Sequence, residues 1–408
     1  MIRIYMLEMT HSNVFNGVTR CIQTLVSSLN NQPDMEALWV RIEVNGNSKG
    51  RINPGIAARL YLPFTIPMDL GTFLTSKIAR KEFWYQINDY LGLCSQENES
   101  IIYHVHTLNL IELANILKEL HGGRIITHLH CIPWKSLYDR NNMKYNELYS
   151  RYYNHPRSKL TSSDFIFRNY EITAYKESDA IITVTQYAKE FLYRMGVDKK
   201  KVRVIYNGIP DYFGHKARLN HNRSKKTILF VGNMNPSKGL EFLLQALKQL
   251  SSIPLQLIVV GNFPFTKREE ILNKYTELNI QFAGRLSLKE LADYYTSADI
   301  GVIPSIHEQC SYVAIEMMMF GLPIICSAVD GLDEMFQHNI NALKVPVKTP
   351  LYERHSIDIA MLTHSIEKLI NNKDLQRKIS TLSRKLYVHH FSDKIMLRQT
   401  LHLYLSIY

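Results

Sequence analysis

Three observations predict an α/β chain carrying two doubly wound parallel sheets. Short apolar runs rich in β-branched residues alternate with stretches whose apolar positions recur at helical spacing, the pattern of parallel strands joined by right-handed crossovers. The scheme runs through twice, with a polar stretch over Asp211–Lys225 between the two passes. The 408 residues, 46% hydrophobic and 21% charged, suffice for two cores of ordinary size.

In the first pass, strands are expected at Ile2–Met9, Leu38–Val44, Ile101–Thr107, Arg124–His130, Ala180–Thr185 and Val202–Tyr206. Helices fall between them at Gly17–Leu29, striped by Val18, Ile22, Leu25, Val26 and Leu29, then at Leu108–Leu120 and Gln186–Met195. Thr185 reads as an N-cap, and Asn207-Gly208 as a turn after the last strand. The second pass gives strands at Thr227–Val231, Leu255–Val260, Ile280–Ala283, Ile300–Ser305, Pro323–Ala328 and Leu343–Val347. Its helix over Lys238–Leu250 carries Leu240, Leu243, Leu244, Leu247 and Leu250 on one face, and Ser287 reads as the cap of Leu288–Ser297. From Ile357 to Tyr408 the pattern is helical, with Asp374 and Ser392 as expected N-caps. The expected domains are therefore 1–212 and 226–390, with a terminal helix over 391–408.

Met1–Val14 opens as a strand without a cationic stretch or a small-residue cleavage site, and no run of 18 apolar residues occurs. Neither a signal peptide nor a membrane span is expected. The five cysteines are scattered and form no C-x-x-C pair, which suits reduced thiols in the cytoplasm and offers no zinc motif. The net charge of +11 is concentrated partly in Lys199–Lys201 and His215–Lys226, which read as solvated loops. A recognition helix, a zinc knuckle and an RNP-like aromatic strand are all missing, so nucleic acid is not expected as a partner. The tract Lys144–Arg168 interleaves Tyr and Phe with Arg and Lys, which leaves peripheral contact with the inner face of an anionic membrane open.

The stretch that carries chemistry is SIHEQCSYVAIEMMMFGLPIICS, Ser305–Ser327. It sets Glu308 in a loop after one apolar strand and Glu316 inside a short helix that opens near Ser311. In a doubly wound sheet such a loop lies at the carboxyl edge, where ligands meet the N–H groups of a helix start. A carboxylate there can accept two hydrogen bonds from vicinal hydroxyls, each worth roughly 1.5–3 kcal/mol. Taken alone, the pair also fits a solvated helix face. Two His-x-His pairs, His104/His106 and His128/His130, fall at the ends of buried strands with each pair on one face, which is weak evidence for a metal.

The spacing of Glu308, seven residues and Glu316, followed by Gly321, Pro323, Gly331 and Glu334, resembles glycosyltransferase family 4, retaining sugar transferases of the GT-B architecture. ILFVGNMNPSKGLEFLLQAL (Ile228–Leu247) and FAGRLSLKELADYYTSADIGVIPS (Phe282–Ser305) carry the same resemblance, which is close over Ser178–Glu334 and only in outline before it. It implies two Rossmann-like domains facing across a cleft, the first for the acceptor and the second for a nucleotide-sugar donor. The terminal helix would cross back to the first domain. Residue by residue, the resemblance sets Lys238 at the diphosphate, Glu316 at the ribose, Glu308 at the donor sugar and His130 against the transferred sugar. Gly17 would let the backbone approach the donor. Gly284, Arg285 and Leu286 would meet the base through backbone, and the amides of Ser311 and Tyr312 the sugar or phosphate. Asn233 stands where an arginine is usual, with Arg285 as a candidate replacement cation; Cys310 and Ser311 replace a commoner Phe-Gly, and Cys131 an acidic residue.

The implied reaction is retaining hexosyl transfer from a nucleoside diphosphate sugar to a hydroxyl acceptor, a glycan, a lipid-linked molecule or another, as in polysaccharide biosynthesis. Without any D-x-D sequence, no metal or other cofactor is expected, and Lys238 with helix N-termini would stabilise the leaving group. Two other readings stay open. One is a sugar-nucleotide epimerase of the same fold, and the other a catalytically silent relative that binds or scaffolds, to which Asn233 and Cys310 point.

Overall fold

The computed structural model describes residues 1–10, 16–44, 61–66, 76–91, 99–132, 171–213, 225–348 and 356–408. The aromatic and basic tract Lys144–Arg168 and most of the basic run His215–Lys226 lie outside the described residues. Two compact units hold the chain, the first within Met1–Ser136, Pro156–Tyr206 and Asp393–Tyr408, the second within Asn207–Ser392.

The first unit runs β1 (Ile2–Thr10), α1 (Gly17–Leu29), β2 (Met35–Val44), β3 (Tyr61–Ile66), α2 (Lys77–Leu91), β4 (Ser100–Val105), α3 (Ile111–His121), β5 (Arg124–Leu129), β6 (Ala180–Thr183), α4 (Gln186–Arg194) and β7 (Val202–Val204). Its seven strands, in the order β3-β2-β1-β4-β5-β6-β7, are all parallel. Both faces of such a sheet are covered, so its strands are nearly continuous in apolar residues: β1 is buried from Ile4 to Thr10. Strand β3 was not expected, because Pro63 removes a ladder donor and argues against a strand. Among the described residues only β2 pairs with β3, and an edge strand tolerates the proline. Helix α2 was missed too. It buries Phe83, Trp84 and Ile87 but leaves Ile78 and Tyr85 exposed, which blurs its apolar stripe.

The second unit repeats the plan with β8 (Lys226–Val231), α5 (Leu240–Lys248), β9 (Leu255–Val260), α6 (Phe265–Lys274), β10 (Ile280–Gly284), α7 (Leu288–Ser297), β11 (Ile300–Ile303), α8 (Tyr312–Met319), β12 (Ile324–Ala328), α9 (Asp330–Met335), β13 (Leu343–Lys348), β14 (Ser356–Ile357), α10 (Ile359–Asn371) and α11 (Lys373–Leu386). The strand order is β10-β9-β8-β11-β12-β13-β14, and only β14 is antiparallel. The leucine stripe of α5 is buried as expected and joins Ile228, Val259 and Ile366 in one core cluster. Thr185 and Ser287 cap their helices, Ser287 in a reciprocal capping box with Glu290.

Two local expectations are corrected. Asn372, not Asp374, caps α11, its side chain accepting from the Leu375 N–H at 2.9 Å while Asp374 already lies in the first turn and pairs with Arg377. Ser392 stands directly before the terminal helix, at the expected cap position, and its hydroxyl donates backwards to the Val388 carbonyl beside a π-helical turn over Tyr387–Phe391. Asn207-Gly208 makes no turn, because the Asn207 side-chain amide is drawn to the Cys310 carbonyl at 3.1 Å. That bond, with Tyr387 donating to the Ile209 carbonyl and Arg384 paired to Asp211, ties 207–213 to the second unit. By contacts within the chain the changeover falls at Tyr206/Asn207.

Helix α12 (Asp393–Ser406) returns to the first unit. Its Tyr404 is fully buried and bonds to His104, and Tyr408 donates to the Ile101 carbonyl.

Candidate functional site

In the second unit β8, β9 and β10 run outward on one side, and β11 to β13 on the other, so strand order reverses between β8 and β11. The carboxyl ends of the strands at such a reversal leave a crevice that binds ligands in doubly wound sheets. Lys238 follows β8 and Glu308 follows β11, and there they meet: Lys238 Nζ donates to Glu308 Oε1 at 2.5 Å. The Ser305 hydroxyl donates to the same oxygen at 3.1 Å. Lys238 is not in the helix, as the stripe suggested, but in a 3-10 turn over Pro236–Lys238. Gly239 at φ +73° separates the two, and a Cβ there would stand 1.8 Å from the Pro304 carbonyl oxygen. The Ile306 N–H donates to the Ser237 carbonyl at 2.8 Å, so the two loops are stitched by backbone as well as by the ion pair.

Glu316 lies in α8, a helix buried on all sides from Ala314 to Met319, and is itself only 4% exposed. It does not sit on a solvated face. Tyr295, from α7, donates its hydroxyl to Glu316 Oε2 at 2.5 Å while its ring stacks on Phe320. A buried carboxylate is tolerable only with such partners. Ser311 caps α8, its hydroxyl accepting from the Ala314 N–H, and Tyr312 is the first residue of the helix. Asn207 steadies this loop by holding the Cys310 carbonyl.

Along the same carboxyl edge, Gly232 and Gly261 follow β8 and β9, and Gly284 ends β10. Gly261 N–H donates to the Gly284 carbonyl, and a Cβ on Gly261 would approach the Gly232 oxygen to 2.0 Å. Gly284 itself has φ +74°. Asn233 is exposed and accepts from the Asn262 N–H at 3.2 Å; Arg285 is also exposed but stands two strands away from β8.

In the first unit Gly17 opens α1, where Asn16 caps by accepting from the Thr19 N–H. The four histidines form one stacked array: His104 on His106 with centroids 4.3 Å apart, His128 on His130 at 4.1 Å. His106 Nδ1 and His130 Nε2 are 2.9 Å apart, His104 Nε2 and His128 Nδ1 3.2 Å. Burial drives all four well below the ordinary imidazole value, His104 and His130 to about 3, so the rings are neutral near pH 7.

Residues 213–386 match the family model "Glycosyl transferases group 1", and residues 74–212 match "Glycosyltransferase Family 4". The chain belongs to glycosyltransferase family 4. Among curated relatives, an uncharacterized glycosyltransferase of Methanocaldococcus jannaschii is 32% identical over 224 residues, 50% of this chain and 57% of that protein. The D-inositol 3-phosphate glycosyltransferase of Xylanimonas cellulosilytica is 28% identical over 196 residues, 43% and 46% of the two chains. The chain thus spans about half the length of the curated relatives it matches. Solved structures match end to end. Sucrose-phosphate synthase from Thermosynechococcus elongatus gives a TM-score of 0.69 at 17% identity, covering 99% of this chain and 98% of that one. Anabaena HepE in complex with UDP-glucose gives 0.68 at 14%, covering 98% and 99%. At these identities the likeness establishes the fold, and this family 4 chain has the GT-B fold of two parallel-sheet α/β domains.

Sequence reasoning brought Lys238, Glu308, Glu316, Ser311 and Tyr312 to one sheet edge of this family 4 chain but missed the residues that hold them. Tyr295, Ser305 and Asn207 carry no motif; only their hydrogen bonds to Glu316, Glu308 and Cys310 mark them. His307, paired to Asp330, was likewise unmarked. Among the described residues no helix is long and apolar enough to cross a membrane.

Proposed function

We propose that this chain moves a sugar from a nucleoside diphosphate sugar to a hydroxyl acceptor with retention at the anomeric carbon. The observation that carries the reading is the Lys238–Glu308 pair at the reversal of strand order in the second domain. A cation and a carboxylate 2.5 Å apart, one on each side of the crevice, offer adjacent sites for a diphosphate and for sugar hydroxyls. When donor binds, Lys238 turns to the leaving diphosphate and Glu308 to the sugar, each exchanging one charge-assisted bond for another. Glu316, oriented by Tyr295, takes the ribose hydroxyls; backbone at Gly284, Arg285 and Leu286 takes the base, and the amides at Ser311 and Tyr312 the sugar or phosphate. In the first domain His130 contacts the transferred sugar and the backbone at Gly17 the donor. The acceptor oxygen attacks from the leaving-group face, and the departing phosphate takes its proton, so no protein base is needed. Lys238 and local amides stabilise the leaving group without a metal. Donors linked to UDP come first, since HepE, a fold neighbour, carries UDP-glucose. The cysteines of the described residues lie in no disulfide, which supports a reducing compartment. A lipid-linked acceptor at the inner membrane face belongs to the same proposal.

The test is a panel of UDP-, GDP- and ADP-sugars with purified protein in chelator, following thermal shift and release of free nucleotide. One nucleotide that stabilises the protein and is slowly released from its sugar supports the transferase. Conversion of the donor alone to an isomer would establish an epimerase. No shift with any donor would mean that the position at Asn233 is uncompensated and the chain is catalytically silent.

A further inference from the structure

We propose that Cys21, His128 and His130 form a binding site for a thiophilic d10 cation, zinc or copper(I), inside the first domain. Cys21 lies in the second turn of α1 and is fully buried, and the two imidazoles come from the carboxyl end of β5. The three residues each offer one ligand atom, all within 4.8 Å of one another. Small side-chain rotations close that spread onto an ion with bonds of about 2.0–2.3 Å.

A second observation concerns His128, which the site shares with a neighbouring group of His104 and His106. His128 is 3% exposed, and its Nε2 is buried with no hydrogen-bond partner among the described residues. A nitrogen in that state is rare unless something fills the space before it. The other ring nitrogens are held as ligating histidines require, by a partner that fixes the tautomer. His128 Nδ1 meets His104 Nε2 at 3.2 Å, and His104 Nδ1 meets the Tyr404 hydroxyl at 2.6 Å. His130 Nε2 meets His106 Nδ1 at 2.9 Å, and His106 Nε2 lies 3.4 Å from Met6 Sδ. A cation on His128 Nε2 puts the His128 proton on Nδ1, which then donates to His104. His104 in turn carries its own proton on Nδ1 and donates to the Tyr404 oxygen. One binding event thus sets the polarity of the chain from α12 to β5.

As the sulfur–metal bond forms, the Cys21 thiol releases its proton to solvent, and nothing is oxidised or reduced. A thiolate with copper(I) and two neutral imidazoles is uncharged, which suits a buried site; zinc would keep one positive charge and take water as a fourth ligand. His130 is partly exposed and gives the ion an entry path. The readout is metal alone and does not depend on the transfer reaction; with Nε2 on His106 and Nδ1 on the ion, His130 has no ring nitrogen left for a sugar, so metal binding and the sugar contact proposed for His130 exclude one another.

Full-length protein stripped of metal and titrated with Co(II), a spectroscopic stand-in for zinc, should bind one equivalent with a thiolate-to-cobalt charge-transfer band that zinc abolishes. A parallel titration with copper(I) buffered by a chromogenic chelator shows which cation is held more tightly. Cys21→Ser and His128→Gln should each remove tight binding, while Cys326→Ala, in the second domain, should keep it. Tyr404→Phe keeps all three ligands, so it remains informative if the ligand variants fail to fold; it should weaken affinity by roughly tenfold or more. The proposal is overturned if neither cation binds stoichiometrically to the wild type, or if binding survives Cys21→Ser.

Discussion

Lys238 and Glu308, 70 residues apart in the chain, close into a 2.5 Å ion pair at the point where the second sheet reverses its strand order. Each is held by its own loop, and the Ile306–Ser237 backbone bond fixes the two loops together. Lys238→Ala should therefore lower kcat/KM for transfer by about 10²–10³-fold, the usual loss for one preorganised donor at developing charge. Lys238→Arg should recover part of it. Steady-state kinetics with the donor found in the nucleotide panel measures both, and an alanine variant within twofold of wild type would remove Lys238 from the reaction.

Tyr295→Phe removes the hydroxyl that orients Glu316 without touching any proposed ligand contact. Donor KM should rise several-fold, in line with about 1 kcal/mol for one hydrogen bond, with a smaller change in kcat. Glu316→Ala should raise KM further and lower turnover as well. Equal KM values for wild type and Tyr295→Phe would show that the carboxylate needs no help from Tyr295.

Gly239→Ala should destabilise the second domain by roughly 2 kcal/mol or more, because the left-handed backbone is strained for alanine and its Cβ meets the Pro304 carbonyl. Gly196→Ala is the comparison: φ is +80° but none of the described residues lies within 4 Å of the added carbon. Its cost should stay near 1 kcal/mol. Chemical denaturation of both variants measures the difference; a Gly239→Ala no worse than Gly196→Ala would mean the loop gives way easily.

Glu8 is 1% exposed, and burial above all raises its pKa in spite of the Thr19 hydroxyl and the Arg41 guanidinium beside it. A carboxyl whose folded value exceeds its unfolded one favours the folded state below the ordinary carboxylate range. That contribution is lost as pH rises through the folded value. Glu8→Gln keeps an acceptor for Thr19 but does not titrate. The Tm of Glu8→Gln relative to wild type should therefore improve between pH 4 and pH 7, and a constant or shrinking difference would contradict the assignment.

Much of the fold was legible because strand runs and helix stripes are local. β9 spans Leu255–Val260 as expected, and the leucines of α5 face the core. β3 was not legible, since whether Pro63 is tolerated depends on its lying at a sheet edge, a property of the whole sheet. The cap at Asn372 was lost to Asp374 for a similar reason, two candidate side chains standing two residues apart with only backbone geometry to choose between them.

By itself the sequence determined the two α/β passes, the family resemblance and the loops after β8 and β11 that carry Lys238 and Glu308. Those follow from periodicity and motif spacing, which act over a few residues. The tertiary structure alone decided that Glu316 is buried against Tyr295 and not on a solvated face. It also decided that His104, His106, His128 and His130 stack with Tyr404 of the last helix into one neutral array. Burial and pairing arise only when elements distant in sequence are brought together by the sheet order, and no local pattern encodes them.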